Sequence, residues 1–226
     1  MTRNGLTLVA WNGRLYQAGG SNGCGAANNA VYSIAIKSDG RMASSWRTET
    51  VLPANFAWHA LAVHNGRLYA CNSTGYYSAA INADGTVGAW ATYTSPPADF
   101  MHTAVWNGRI YGAGAPGYAI YSTSISVNGT TGKWIKETVT TPQSYYGRMV
   151  IWNGVMVLPS WEAAKAVYTL QLNVGGSAGA AWTTNGTNYP NTTTNQDTLV
   201  WNDKFYTLGG SYGGVGVSDV RTSGIN

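Results

Sequence analysis

Glu162 and Asp197 are the two carboxylates that fall in loops of one face rather than at turns. A pair of carboxylates facing each other across one site is what glycoside hydrolysis requires, one as acid and one as base or nucleophile. Asp39, Asp84 and Asp203 lie in turn sequences. His59 and His102 each introduce an apolar run, and His64 replaces a tryptophan in a repeated motif. Around these groups stand aromatic side chains: Trp58, Tyr118, Tyr145, Tyr146, Trp161 and Tyr212, interspersed with Arg148, Gln196 and Asp197. Rings beside amides, carboxylates and a guanidinium suit a sugar, whose apolar face stacks while its hydroxyls form hydrogen bonds. The candidate ligand-binding set is therefore Trp58, His59, His102, Tyr118, Tyr145, Tyr146, Arg148, Trp161, Glu162, Gln196, Asp197 and Tyr212. No catalytic set is assigned. Cys24 and Cys71 with three histidines do not make the closely spaced donor set of a zinc site, and no metal or cofactor is expected. A bridge between Cys24 and Cys71 stays open, because they lie near the second strands of neighbouring repeats.

The elements that position these residues are repeated hairpins. Trp11-Asn12-Gly13-Arg14-Leu15-Tyr16 returns as His64 to Tyr69, as Trp106 to Tyr111, as Trp152-Asn153-Gly154-Val155-Met156 and as Trp201-Asn202-Asp203-Lys204-Phe205-Tyr206. Asn-Gly between apolar runs predicts a two-residue turn, since a type I′ turn needs positive φ at both central residues. The turn asparagine falls at 12, 65, 107, 153 and 202, a spacing that fits a four-stranded blade. A tryptophan recurs at 46, 90, 134 and 182, and a second turn lies between the landmarks, at Asp39-Gly40, Asp84-Gly85, Asn128-Gly129 and Gly175-Gly176. In the third repeat the expected strands are a, His102 to Trp106; b, Arg109 to Ala113; c, Ala119 to Val127; and d, around Trp134 and closed by Pro142. Strand a is nearly continuous in small apolar residues, as a strand buried on both faces would be.

The expected fold is an all-β β-propeller of five blades of four antiparallel strands, the last blade lacking its outer strand. It forms one domain, residues 1–226, with repeats at about 1–55, 56–99, 100–144, 145–192 and 193–226. In a four-stranded meander the d-to-a and b-to-c connections share one end, and the a-to-b and c-to-d hairpins the other. The hairpin end is uniform, with arginine repeated at positions 14, 67 and 109 in a structural or solvated role. The other end varies and carries the candidate residues, and variable loops on a repeated scaffold are where binding is usually placed.

Composition supports a turn-rich, aromatic-rich β protein: 29 Gly, 10 Trp and 15 Tyr, with only 10% charged residues. The net charge of +4 is scattered singly rather than clustered, which argues against nucleic acid. No segment reads as a membrane span. The first residues lack the apolar core of a secretory signal. An extracellular, cell-surface or virion setting is nevertheless expected over a cytoplasmic one.

The repeat resembles the kelch family of β-propellers in its bacterial form, close to the blades of the galactose-oxidase central domain. The matching residues are the apolar strand a, the Asn-Gly-Arg turn with Ile or Leu and Tyr after it, Gly-Gly at 19–20 and 209–210, Val-Tyr at 31–32 and 167–168, and Asp-Gly followed by Trp. Gly-Gly is replaced by Cys71-Asn72, Gly114-Ala115 and Pro159-Ser160 in the middle repeats, so their b-to-c loops are expected to be irregular. The resemblance implies the fold and leaves function open. Three functions follow: a non-enzymatic binding module, lectin-like or adhesive, for a glycan or protein; a structural or assembly protein that self-associates through its incomplete fifth blade; and a glycan-active enzyme using Glu162 or Asp197.

Overall fold

The computed structural model describes residues 3–4, 7–22, 26–57, 59–115, 119–142, 148–159, 166–187, 197–201, 204–208, 211–212, 215–216 and 220–224. Every regular element among them is a β-strand. The first repeat holds β1 (Arg3–Asn4), β2 (Thr7–Trp11), β3 (Arg14–Ala18), β4 (Ser21–Asn22), β5 (Val31–Ala35) and β6 (Arg47–Thr48). The second holds β7 (Ala60–His64), β8 (Arg67–Asn72), β9 (Gly75–Ile81) and β10 (Val87–Tyr93), and the third β11 (Asp99–Trp106), β12 (Arg109–Ala115), β13 (Ala119–Ser124) and β14 (Ile135–Thr140). The fourth holds β15 (Val150–Trp152), β16 (Val155–Pro159), β17 (Ala166–Gln171) and β18 (Thr183–Thr187). The fifth holds β19 (Asp197–Trp201), β20 (Lys204–Leu208), β21 (Ser211–Tyr212), β22 (Val215–Gly216) and β23 (Val220–Gly224).

Four sheets run in sequence order: β2-β3-β5-β6, β7-β8-β9-β10, β11-β12-β13-β14 and β15-β16-β17-β18. The chain is thus an all-β propeller with four four-stranded blades, where the sequence leads one to expect five. In the fifth repeat β20 pairs directly with β23, giving the three-stranded sheet β19-β20-β23, while β21 and β22 pair only with each other. A second departure is the ribbon β1–β4, which precedes the first blade and joins its b-to-c connection.

Turn chemistry sets the registers. Asn12, Asn65, Asn107 and Asn153 take φ of 43 to 46°, and the glycines after them 66 to 78°. Both central residues lie in the left-handed region, as a type I′ turn demands. The c-to-d turns differ: only their final Gly40, Gly85, Gly129 and Gly176 are left-handed, at 79 to 81°. Gly40 N–H donates to the Lys37 carbonyl at 2.9 Å and Lys37 N–H to the Arg41 carbonyl at 2.7 Å, a type I turn closed by a glycine bulge.

The described residues fall into two compact units, Met1–Ile110 with Thr123–Trp134, and Tyr111–Ser122 with Ile135–Asn226. In the first, Tyr16, Val31, Leu52, Phe56, Leu61 and Leu68 form a continuous core. In the second, Ile120, Met149, Met156, Leu158 and Leu170 are buried. Strand a of the second blade behaves as its composition predicts, with Ala60 and Leu61 each 1% exposed. Cys71 is a buried free cysteine, and Cys24 lies outside the described residues.

Candidate functional site

Polar side chains on the blades are engaged in joining one blade to the next. In the first unit the Tyr16 hydroxyl donates to the Gly85 carbonyl at 3.0 Å, and the Tyr69 hydroxyl to the Gly129 carbonyl at 3.1 Å. In the second unit Tyr111 repeats the contact with Gly176. Each tyrosine lies on a strand b and each acceptor is a turn glycine of the following blade. Arg14 and Arg67 pack their side chains over the same glycines, Gly85 and Gly129, and donate to Ser33 Oγ at 2.8 Å and Ser78 Oγ at 2.9 Å. Their recurrence is structural.

A carboxylate completes the joint. Glu49 Oε1 accepts from Ser33 Oγ and from Arg47 Nε at 2.6 Å, and its Oε2 accepts the Val87 N–H at 2.9 Å. In the second unit Glu137 accepts from Ser122 Oγ and takes the Ala178 N–H at 2.9 Å. Trp90 Nε1 donates back to the Thr50 carbonyl, and Trp182 Nε1 to the Thr140 carbonyl, both at 2.9 Å. Sequence reasoning missed both glutamates. The available signal was their place, three residues after Trp46 and Trp134.

At the other end of the blades, the Gly19-Gly20 pair lies against the d-to-a segment that leads into the second blade. Gly19 and Gly20 have φ of 57° and 94°, and Gly20 N–H donates to the Phe56 carbonyl at 2.7 Å. A Cβ on Gly19 would sit 2.6 Å from the Phe56 carbonyl oxygen and 2.7 Å from the His59 ring. Asn28 Nδ2 closes the loop onto the Gly20 carbonyl at 2.7 Å. In the second blade the expected irregular b-to-c loop is instead a tight turn. Asn72 Oδ1 accepts from the Thr74 and Gly75 N–H groups at 3.0 Å each, and Asn72 pairs with Gly75 across it.

The predicted residues distribute as follows. His59 is 2% exposed, its ring 5.5 Å from that of Phe56. Burial pulls its pKa down to about 4, and the Ala18 backbone opposes this weakly. Neither ring nitrogen makes a hydrogen bond of good geometry among the described residues. His102 is half-buried inside β11, not ahead of it, because strand a of the third blade begins at Asp99. The extension is held by Phe100, fully buried and edge-on to Trp134 at 4.8 Å, and by Asp99 Oδ1, which accepts the Ser73 N–H at 2.9 Å. Arg148 is half-buried just before β15. Asp197 opens β19 opposite Leu208 instead of lying in a loop, and Tyr212 lies in the ribbon β21–β22 opposite Val215, because backbone pairing continues through both. Trp58, Tyr118, Tyr145, Tyr146, Trp161, Glu162 and Gln196 lie outside the described residues.

The carboxylates described on the blades are mostly held in structural contacts. Among the described residues, Glu49 and Glu137 hold neighbouring blades, and Asp39 and Asp84 accept backbone N–H groups in their own turns. The hydrogen bonds from Thr86 hold the Asp84 carboxyl below its ordinary pKa. Burial pushes the Cys71 thiol up to about 12, which leaves it without thiolate character. No group of three or more His, Cys, Asp or Glu among the described residues is placed to hold a metal ion, and no described helix is long and apolar enough to cross a membrane.

No family model matches the chain, and no curated protein matches it. Solved structures do. One, titled "Structure of YjhT", aligns with a TM-score of 0.70 at 17% identity, covering 99% of this chain and 82% of that one. At that identity the likeness is one of fold alone, and with the strand orders above it identifies this chain as a β-propeller.

Proposed function

We propose that this chain is a non-enzymatic binding module, lectin-like or adhesive, that engages a glycan or protein through its d-to-a and b-to-c loops. One observation carries the reading: the buried carboxylates of the blades, Glu49 and Glu137, are tied to serine hydroxyls and to the next blade's backbone, so neither is poised for proton transfer. The aromatic and amide residues Trp58, Tyr118, Tyr145, Tyr146, Trp161 and Gln196 follow no repeated pattern, whereas the hairpin end repeats one Trp-Asn motif at positions 11–12, 106–107, 152–153 and 201–202. With His59, His102, Arg148, Glu162, Asp197 and Tyr212 they are the ligand set of this reading. The blades belong to the kelch type in this reading, and Gly19-Gly20 supports it, since the pair makes room for the segment entering the next blade. An extracellular, cell-surface or virion setting fits a module of this kind.

A glycan array and a displayed-peptide library, each probed with the wild-type chain, test the proposal. The expected result is a defined ligand whose affinity falls by about tenfold or more in Tyr145→Ala and Trp161→Ala, in line with aromatic anchors at interfaces, while the melting temperature is kept. Blank arrays at the highest soluble concentration overturn it. Turnover of a glycoside that disappears in the Glu162→Ala, Asp197→Ala double variant would replace binding with catalysis.

A further inference from the structure

The joint between the second and third blades uses the same places as the joint before it, but sets polar groups where the first has apolar ones. In the first joint Val31 on β5 and Val87 on β10 belong to the continuous core, and Trp90 packs against it. Three hydrogen bonds cross that joint near them: Val87 N–H to Glu49, Trp90 Nε1 to the Thr50 carbonyl, and Thr50 Oγ1 to the Val87 carbonyl at 2.6 Å. In the second joint Tyr76 pairs with Cys71 as Val31 pairs with Ala18, so it takes the place of Val31. Thr131 lies two residues after its turn glycine, as Val87 does, and Tyr93 three residues after its tryptophan, as Glu49 does. The Tyr76 hydroxyl, Thr131 Oγ1 and Trp134 Nε1 are all buried, and none makes a hydrogen bond of good geometry. Burial raises the Tyr76 pKa, and the nearby Thr131 hydroxyl opposes the rise.

Buried polar groups without partners favour any state in which water reaches them, each by an amount comparable to a hydrogen bond. Against this stand the bond from the Tyr69 hydroxyl to the Gly129 carbonyl, the Arg67 stem over that glycine, and the ring contacts of Trp134, 5.4 Å from Tyr76 and 4.8 Å from Phe100. The hairpin that carries Thr131 and Trp134 keeps its own bonds: Gly129 N–H donates to the Ser126 carbonyl and Ser126 N–H to the Thr130 carbonyl, both at 2.8 Å. It can move as a unit without losing its turn. Residues Thr123–Trp134 and the second-blade residues they meet all belong to the first compact unit. We propose that the Thr123–Trp134 hairpin is a flap that opens locally from the second blade in the folded protein, letting water onto Tyr76, Thr131 and Trp134, while the equivalent hairpin at residues 79–90 stays closed on the first blade. Opening breaks the Tyr69–Gly129 bond and bares the rings of Tyr76 and Trp134.

Amide hydrogen exchange at fixed neutral pH, resolved by residue and corrected for intrinsic rates, compares matched groups in the two hairpins. Gly85 N–H donates to the Asn82 carbonyl and Asn82 N–H to the Thr86 carbonyl, as Gly129 and Ser126 do in theirs, and both glycines are buried. Ser126 and Gly129 should exchange about tenfold or more faster than Asn82 and Gly85, by a route insensitive to low denaturant. Tyr76→Phe removes one unpartnered hydroxyl and keeps the ring, so it should slow Gly129 toward the rate of Gly85 and leave the melting temperature unchanged or raised. Tyr69→Phe should speed Gly129 further. Equal protection of the two hairpins overturns the proposal, as does exchange of Gly129 through global unfolding alone. A Gly129 rate that is unchanged or faster in Tyr76→Phe overturns it too, since that is the result of a hydroxyl that water already satisfies in the closed joint. The loop-face reading is untouched by any of these results, because neither substituted residue belongs to the ligand set.

Discussion

Lowering the pH from 7 to 5 should destabilise this protein through His59. The ring is almost fully buried between Phe56 and Gly19, its carbonyl accepts from Thr7 Oγ1 at 2.8 Å, and burial pulls its pKa from 6.5 to about 4 with no charged group contributing. A folded-state value below the unfolded one means that the unfolded chain binds the proton more readily. The contribution of neutral His59 is therefore fully present above pH 6.5 and is lost as pH falls through about 4. At roughly 1.4 kcal/mol for each pH unit of displacement, the whole effect is about 3 kcal/mol, and about 2 kcal/mol of it is gone by pH 5. Urea unfolding at pH 7 and pH 5, for the wild type and for His59→Leu, isolates the contribution of His59, because every other group is common to both proteins. The wild type should lose about 2 kcal/mol more than the variant over that interval. If the two lose stability equally, His59 is protonated or solvated in the folded state, and the description of its packing is wrong.

Three further outcomes probe the joints. Tyr69→Phe removes a hydroxyl that donates to the buried Gly129 carbonyl, and should cost about 1–2 kcal/mol, a fall of about 2–8 °C in a thermal melt. Gly85→Ala and Gly40→Ala impose similar backbone strain, at φ of 79° and 81°, but only the first drives a methyl into Arg14; Gly85→Ala should therefore melt several degrees below Gly40→Ala, whose cost is about 1–2 kcal/mol of strain alone. Glu137→Ala strands the Ala178 N–H and the Ser122 hydroxyl, and should cost about 2–4 kcal/mol in denaturant unfolding. An effect near zero there would mean that water replaces the carboxylate.

The backbone architecture was legible because it rests on local chemistry. Asn-Gly at four sites and a terminal glycine in each c-to-d turn dictate their φ values within a few residues, and the structure follows them. The outer strands were less so: Trp134 marks the start of the third blade's strand d, yet pairing begins only at Ile135, and β6 is two residues long. What remained illegible was the partnership of residues far apart in sequence. Tyr16 meets Gly85 across 69 residues and Tyr69 meets Gly129 across 60. Periodicity marked these tyrosines as repeated, but not that the hydroxyl of one repeat belongs to the turn of the next. Glu49 and Glu137 were harder still, since the same place in the second repeat is Tyr93, which is reached by the Ser78 hydroxyl at 3.1 Å. A carboxylate in two repeats and a phenol in a third, each met by a serine hydroxyl, keep the place after the tryptophan but not the residue type.

The same joints account for the unequal variability of the two ends of the blades. At the hairpin end a turn glycine must accept a tyrosine from its neighbour and lie beneath an arginine stem, so residue type and turn length are both constrained. The b-to-c end meets its neighbour through the backbone, and more than one solution works. Gly19-Gly20 lets the Phe56 carbonyl approach, while in the second blade Asn72 caps a two-residue turn with its own side chain and Asp99 holds Ser73. Replacing Gly-Gly therefore changes the height and outline of a loop without removing a blade-to-blade bond of the Tyr–Gly or Glu–amide type. Relief at that end is free to change from repeat to repeat, and that freedom, more than any single residue, is what supports the proposal of ligand binding there.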